Sequence, residues 1–405
     1  MTGTLTPDEL LRLRMRALGV GRAAAQSGSG EHDNTGAAVA ATAARMLAVQ
    51  GQDWRSARWA LGARTPGATV EDVHAAFQSG RIVRSWPMRG TIHVVAAEDI
   101  GWLQAATNHR VLAGAPKRRA HLGIDDATLD RLVDVSMAVI RAGSEAGAGS
   151  EAGAGSVRGV GRDALSAAWT EAGIEWQSSW RYHVIWWLCQ NGLATFGPVR
   201  EGGEPLLVDA ATWIPHPRRL TGDEALAELA ARYAGARGPV RDKDLAWWSG
   251  LTSAEAQRGI VAAHEQGRLA PVRLAGESGK AGELWAAPEA LAEGGAPGEA
   301  RDVAEPAEWL LLPAFDEHLL GYTIRDAQLA PEHFERIVPG RNGMFLATVV
   351  RDGRVVGTWR RGARTAAGIE VSPFPGERIT AQQLRREAAR WAEFHGREEP
   401  QVMIT

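Results

Sequence analysis

Gln50 and Gln52 are the pair of side chains in this sequence best placed to do chemistry. In the run Ala48-Val49-Gln50-Gly51-Gln52-Asp53-Trp54 they flank a single glycine between two segments with helical spacing. Glycine suits the position just past a helix end, where the backbone turns left-handed, and Gly51 is expected in that role. Asp53 suits the cap of the next helix, because its carboxylate can accept free backbone N–H groups; its rival role is that of a base. Both amides then project from a tight turn. A neutral amide offers a carbonyl acceptor and an NH₂ donor, so it can orient a water while holding an oxygen, but it is a weak base.

Other chemistries are poorly represented. The single cysteine, Cys189, rules out an internal disulfide and every thiolate metal motif. Eleven histidines are scattered without ligand spacing, so no metal site is expected. Phosphate-binding glycine loops and the Gly-x-Ser-x-Gly elbow are absent, and no cofactor is expected. Lys117, Lys243 and Lys280 are the only lysines, so contacts to an anionic partner fall mostly to arginine. The net charge of −3 leaves room for local basic patches. No apolar run approaches the roughly 18–20 residues of a membrane span, and a cytoplasmic location is expected by default.

The elements that must position the glutamines follow a repeated order. Thr6-Pro7-Asp8-Glu9 opens a helix with a capping box. Ala37–Val49 and Asp53–Ala63 read as helices, and a short helix runs from Thr69 to Phe77. The β-prone runs Arg81–Trp86 and Thr91–Val95 then form a hairpin around Pro87–Gly90. Helices followed at once by a hairpin suggest a winged helix, the winged variant of the helix-turn-helix, with Arg89 at the wing. The same order recurs with helices at Asp163–Ala172 and Trp180–Gln190 before a hairpin at Leu193–Asp209. It recurs again with helices at Asp223–Tyr233, Arg241–Trp248 and Ser253–Glu265 before strands at Leu269–Leu274 and Glu283–Ala286. Gly19–Gly36, Gly143–Ser156 (Gly-Ser-Glu-Ala-Gly-Ala twice in tandem) and Glu289–Pro306 read as linkers, the second disordered and outside any site. The β-prone tail, with a closing helix Ala381–Phe394, reads as a small β-barrel or curved sheet.

The fold class is therefore α+β, with units at 1–120, 121–216, 217–300 and 301–405. Tandem winged helices alone suggest duplex DNA binding by a non-catalytic regulator or architectural protein. Six ordered pieces add a resemblance: Leu11–Arg14; Gln50–Asp53 with Ala63–Pro66; Ser85–His93; Asn191–Pro198; Leu311–Tyr322; and Asp352–Arg360. In these the chain resembles the AlkZ-type winged-helix DNA glycosylases, which excise alkylated or crosslinked bases.

The resemblance implies a C-shaped scaffold of three winged-helix units with a β-barrel, working as a monomer on double-stranded DNA. Its catalytic motif is glutamine–apolar–glutamine, or glutamine–apolar–aspartate in a second branch; the first form maps onto Gln50 and Gln52, with Gly51 departing from the apolar position. An N7- or N3-alkylated purine is already cationic and leaves readily, so a glutamine that orients a water near C1′ suffices. Candidate DNA contacts are Arg89 and His93 on the first wing, the run Lys117-Arg118-Arg119, His318 and Arg325 near the Asp316 motif, and Arg360 and Arg361 in a hairpin arm. Each has a packing alternative: His93 in the core, Asp316 in a buried pair with an arginine, Arg360 and Arg361 at a solvated strand end. Base excision repair and self-resistance to a secreted genotoxin both remain open, as does an adduct binder that does not cut.

Overall fold

The computed structural model describes residues 3–22, 36–145, 158–200, 203–277, 279–293, 307–362 and 368–405. β1 (Thr4–Leu5) leads into α1 (Pro7–Leu18), where Thr6 accepts the N–H of Glu9 and Glu9 accepts the N–H of Thr6 at 2.7 Å. There follow α2 (Ala37–Met46), β2 (Val49–Gln50), α3 (Trp54–Gly62), α4 (Val70–Gln78) and the hairpin β3 (Ile82–Met88) and β4 (Thr91–Ala96). Helices α5 (Ile100–Thr107), α6 (His109–Ala113), α7 (Ala115–Leu122), α8 (Asp126–Glu145), α9 (Arg162–Glu171) and α10 (Ser178–Gln190) precede a second hairpin, β5 (Ala194–Val199) and β6 (Pro205–Asp209). α11 (Ala210–Trp213), α12 (Gly222–Arg237), α13 (Asp242–Ser249) and α14 (Ser253–Glu265) precede a third, β7 (Ala270–Leu274) and β8 (Glu283–Ala286). The tail holds α15 (Pro288–Glu293), β9 (Trp309–Leu312), α16 (Glu317–Leu320), α17 (Phe334–Ile337), β10 (Thr348–Arg351), β11 (Arg354–Arg361), β12 (Ile369–Pro373), α18 (Ala381–Phe394) and β13 (Val402–Ile404).

The architecture is α+β, and its sheets cross the sequence-defined units. One sheet runs β2-β4-β3-β5-β6, joining the first two hairpins where Arg84 pairs with Phe196. A second, β1-β7-β8, pairs the N-terminal strand in parallel with the third hairpin. The third runs β13-β12-β11-β10-β9. Among the described residues this last sheet is open, so the expected β-barrel is corrected. β9 forms one edge of it, where the indoles of Trp59 and Trp359 donate to the carbonyls of Leu311 and Leu312 at 2.7 and 2.8 Å.

Two linker expectations also change. Residues 143–145 continue α8, and the buried Ser144 hydroxyl accepts the N–H of Asp209 at 3.1 Å, because one helical turn can still be capped onto β6. The remainder of that insertion, and most of the 19–36 and 289–306 connectors, lie outside the described residues. Within 289–306, residues up to Glu293 are helical.

The segment that carries the two glutamines is threaded between two cores. Met46, Val49 and Trp54 pack with Leu310, Val349, Val371 and Trp391 of the C-terminal sheet and α18. Leu47 and Ala48 face the other way, into a core with Val83, Met88, Leu229, Leu245 and Trp248. Packing on both sides leaves the segment little freedom to slide. Two buried ion pairs fasten the cores together. Arg64 donates to both carboxylate oxygens of Asp316 at 2.8 Å, and Arg237 donates through Nε to Glu317 at 2.8 Å. Burial opposes ionisation of Asp316, but the charge and hydrogen bonds of Arg64 hold its pKa below the usual carboxylate range.

Breaking such a pair by removing one partner strands the other charge in the core. Asp316→Ala is expected to destabilise the fold by about 3–5 kcal/mol in urea unfolding, and the double variant Arg64→Met/Asp316→Leu should recover most of that loss.

Candidate active site

Three local features shape the turn at Gln50–Gln52. α2 ends at Leu47, which takes φ 64°, and the chain enters β2 at once. Val49 and Gln50 pair antiparallel with Val94 and His93 of β4, and the N–H of Gly51 extends the ladder by donating to Ile92 at 2.8 Å. Asp53 then caps α3, accepting the N–H of Ser56 at 2.6 Å.

The left-handed residue is thus Leu47, and Gly51 lies outside that region. What Gly51 supplies is room. A Cβ there would lie 3.1 Å from the carbonyl carbon of His93 and 3.2 Å from both its Cα and the nitrogen of Val94. The strand β4 backbone runs so close behind the turn that a side chain would press on it.

The two glutamines differ in setting. Gln50 is 8 % exposed, and its Oε1 accepts the backbone N–H of Gln52 at 2.7 Å. That bond closes the turn and fixes which end of the Gln50 amide is oxygen. Gln52 is exposed, as is Asp53. One amide is therefore locked into the turn and the other is presented to solvent.

Buried arginines hold the backbone behind them. Arg237 donates to the carbonyls of Met46 and Ala48 at 3.0 and 2.9 Å. Arg84 of β3 donates to those of Gly51 and Gln52 at 2.8 and 3.3 Å. Neither arginine stands out as a site residue by motif. The one signal is a charge in the middle of an apolar strand, Ile82-Val83-Arg84-Ser85-Trp86, every residue of which is buried.

Positive charge gathers around the first turn of α3. Arg58 stacks over the Trp54 ring at 5.3 Å. Its pKa is lowered by burial and then by the charge of Arg55. Arg361 of β11 lies 6.0 Å over the Trp391 ring, its pKa lowered by burial and by the charges of Arg397 and Arg55. The charge of Arg55 at the start of α3 thus acts on Arg361 of the hairpin arm.

The sequence profile of the family described as DNA glycosylase AlkZ-like matches residues 43–394, well over half of the chain. The chain belongs to the AlkZ-like DNA glycosylase family. It is 27% identical over 363 residues to an interstrand DNA cross-link repair glycosylase of Streptomyces sahachiroi, covering 87% of this chain and 89% of that one. The solved structure of the Streptomyces sahachiroi DNA glycosylase AlkZ superposes with a TM-score of 0.72 at 21% identity, over 99% of this chain and 100% of that one.

The remaining candidate residues of this glycosylase scatter over several settings. Arg361 feels the charge of Arg55, whereas the exposed Arg360 is paired with Glu370 at 2.7 Å. Lys117 and Arg118 are exposed on α7; Arg119 pairs with Asp126 at 3.0 Å and lies 5.0 Å over Trp187. Arg89 and Arg325 meet on one indole, 5.3 and 5.2 Å from the Trp247 ring. The arginine paired with Asp316 is Arg64 and not Arg325, which donates to Leu319 at 2.6 Å instead. His93 and His318 are 0 % exposed, so neither ring presents a surface to DNA. Among the described residues no cluster of three or more His, Cys, Asp or Glu side chains could hold a metal ion.

Two outcomes follow from this geometry. Gly51→Leu should push β2 away from β4, lowering the melting temperature without any gain in base release. The second concerns His93, which burial holds neutral with a pKa near 3, against 6.5 for an ordinary histidine. Between those values the unfolded chain binds a proton that the folded chain refuses. The stability present above pH 6.5 is therefore lost as pH falls toward 3, by about 1.4 kcal/mol per pH unit. Urea unfolding of His93→Gln between pH 6 and 4 should show a correspondingly shallower slope.

Proposed function

We propose that the turn at Gln50–Gln52 is the catalytic centre of a monofunctional glycosylase that hydrolyses the N-glycosidic bond of cationic alkylpurines in duplex DNA. The observation that carries this reading is the division of labour between the amides: Gln52 exposed, Gln50 closing the turn beneath it. On this reading the Gln52 carbonyl orients a water toward C1′. Its NH₂ group holds a sugar or phosphate oxygen, and Gln50 fixes the backbone from which Gln52 projects. No general acid is needed, because an N7- or N3-alkylated purine departs as a neutral base. An unmodified base leaves poorly, and a neutral amide gives it little help, which spares intact DNA.

The three helix-then-hairpin groups act as winged-helix units, at residues 1–120, 121–216 and 217–300, arranged as a C-shaped cradle with the C-terminal sheet at 301–405. A monomer would track the duplex with Arg55, Arg58 and Arg361 on the phosphates beside the turn, and with Lys117 and Arg118 farther along. The substrate range would include bulky and crosslinked adducts, a reading supported for crosslinks by the name of the Streptomyces sahachiroi relative, and a cytoplasmic enzyme meets the chromosome directly. Phosphate contacts by arginine make binding fall steeply with salt.

Single-turnover release of free base from a duplex carrying N7-methylguanine tests the assignment. Gln52→Ala should slow release by about 100-fold or more with DNA affinity kept, as expected when a reacting water loses its positioning group. Gln50→Ala should also slow it, through the loosened turn. If both variants release base at the parental rate, the turn is not the catalytic centre.

A further inference from the structure

The geometry points to Arg84 as a positioning residue of this glycosylase, clamping the two peptide planes on either side of Gln52 from behind the turn. The inference rests on the proposed role of the Gln50–Gln52 turn and deepens it.

The two carbonyls that Arg84 holds belong to consecutive peptide groups, Gly51–Gln52 and Gln52–Asp53. Nε–H donates to the first carbonyl at 2.8 Å and Nη2 to the second at 3.3 Å. With both flanking planes held, the direction in which Gln52 leaves the backbone is set. The Gly51–Gln52 peptide also relays the interaction. Its carbonyl accepts from Arg84, and its N–H donates to Gln50 Oε1 at 2.7 Å. A peptide polarised by a cation at its oxygen becomes a better donor at its nitrogen. One guanidinium thereby orders the Gln52 backbone and the Gln50 amide together.

The cost of this arrangement argues that it serves more than packing. Arg84 is 2 % exposed, against the rings of Trp54 and Phe196 at 5.7 and 5.8 Å. Arg64 and Arg237 are also buried, but each has a carboxylate at 2.8 Å. Among the described residues, the ion contact of Arg84 is Glu204 at 3.8 Å, beyond hydrogen-bonding distance. That carboxylate is half-exposed and is held more closely by Arg162, at 2.9 Å. Among the described residues, the Nη1 of Arg84 is buried without a hydrogen-bond partner. Burying a guanidinium so weakly compensated is expensive, and an apolar side chain of similar length would fill the same slot at less cost. What an apolar side chain cannot do is hold two adjacent carbonyls, and lysine, a point donor without a planar fork, does so poorly. β3 is also the strand that pairs with β5, so the clamp stands where the first two hairpins join.

The test uses the full chain with Arg84→Lys, Arg84→Met and Gln52→Ala, alone and combined. Thermal unfolding and DNA affinity are measured beside single-turnover release of N7-methylguanine at saturating protein. Arg84→Lys should fold and bind DNA within about twofold of the parent while releasing base at least tenfold more slowly, because the reacting water is misplaced. In the Gln52→Ala background the same substitution should cost little more, since both act on one side chain. A full additional loss there would mark general destabilisation and overturn the inference. So would parental release by Arg84→Lys or, where it folds, by Arg84→Met. If Gln52→Ala loses release and the Arg84 variants keep it, the clamp fails and the catalytic turn stands. If Gln52→Ala releases base like the parent, the clamp fails, and the catalytic turn fails with it when Gln50→Ala does the same.

Discussion

Arginine bonded to backbone carbonyl is the interaction on which the candidate site depends. Between the end of α2 and the start of α3 the chain has a two-residue strand and little regular structure of its own. Its carbonyls at Met46, Ala48, Gly51 and Gln52 are nonetheless all bonded, by Arg237 and Arg84. A buried carbonyl left without a donor would cost about 1–3 kcal/mol, so the arginine bonds matter most at Ala48 and Gly51; Met46 also accepts the N–H of Ala48 at 2.7 Å, and Gln52 is exposed. The planar fork of arginine can take two carbonyls from one side chain, which a lysine cannot match. A chain with three lysines among its 45 basic residues is well supplied with these forks.

The charges that come with the arginines determine how distant parts of the chain connect. Arg237 is balanced by Glu317, and the neighbouring Asp316 balances Arg64. Glu317 also accepts the indole N–H of Trp248 at 2.9 Å. The short helix α16 and its cap thus tie the C-terminal segment to α12, α13 and the loop after α3 at once. The C-terminal residues contribute to the site through this junction. They fasten the helix that holds the turn of the two glutamines.

Much of this was legible in the amino-acid sequence, because it is local. The capping box at Thr6 and Glu9, the cap at Asp53 and the three hairpins all follow from short-range turn and cap chemistry. The position of Gln50 was legible as the end of a helical stretch, but its strand was not, since a two-residue ladder with β4 depends on a partner more than 40 residues away. The reason for Gly51 was misread for the same cause: the crowding comes from His93, across the sheet. The barrel was misread because strand propensity says nothing about closure. β9 is an edge strand, where the Leu311 carbonyl accepts from Trp59, a residue from the first helices. Arg84 and Arg237 went unnoticed because a buried arginine is recognised by its partners, and those lie 33 and about 190 residues away.

If the turn is the catalytic centre, as proposed, the same distinction explains how a site with such modest side chains could be selective. A carboxylate at Gln52 would be a stronger base and would also stabilise positive charge on the sugar, lowering the barrier for any base in reach. A neutral amide adds orientation and little else, so the leaving group must bring its own driving force, and alkylation supplies it as positive charge on the purine. Orientation, however, is worth only as much as the stiffness of the group that provides it. An exposed glutamine on a loose loop would lose most of that advantage to its own rotations. Here Gln52 projects from a backbone closed by Gln50, laddered to β4 through Gly51 and gripped by Arg84. The rigidity lies in the backbone and the weakness in the reagent, a combination that favours a substrate already poised to break.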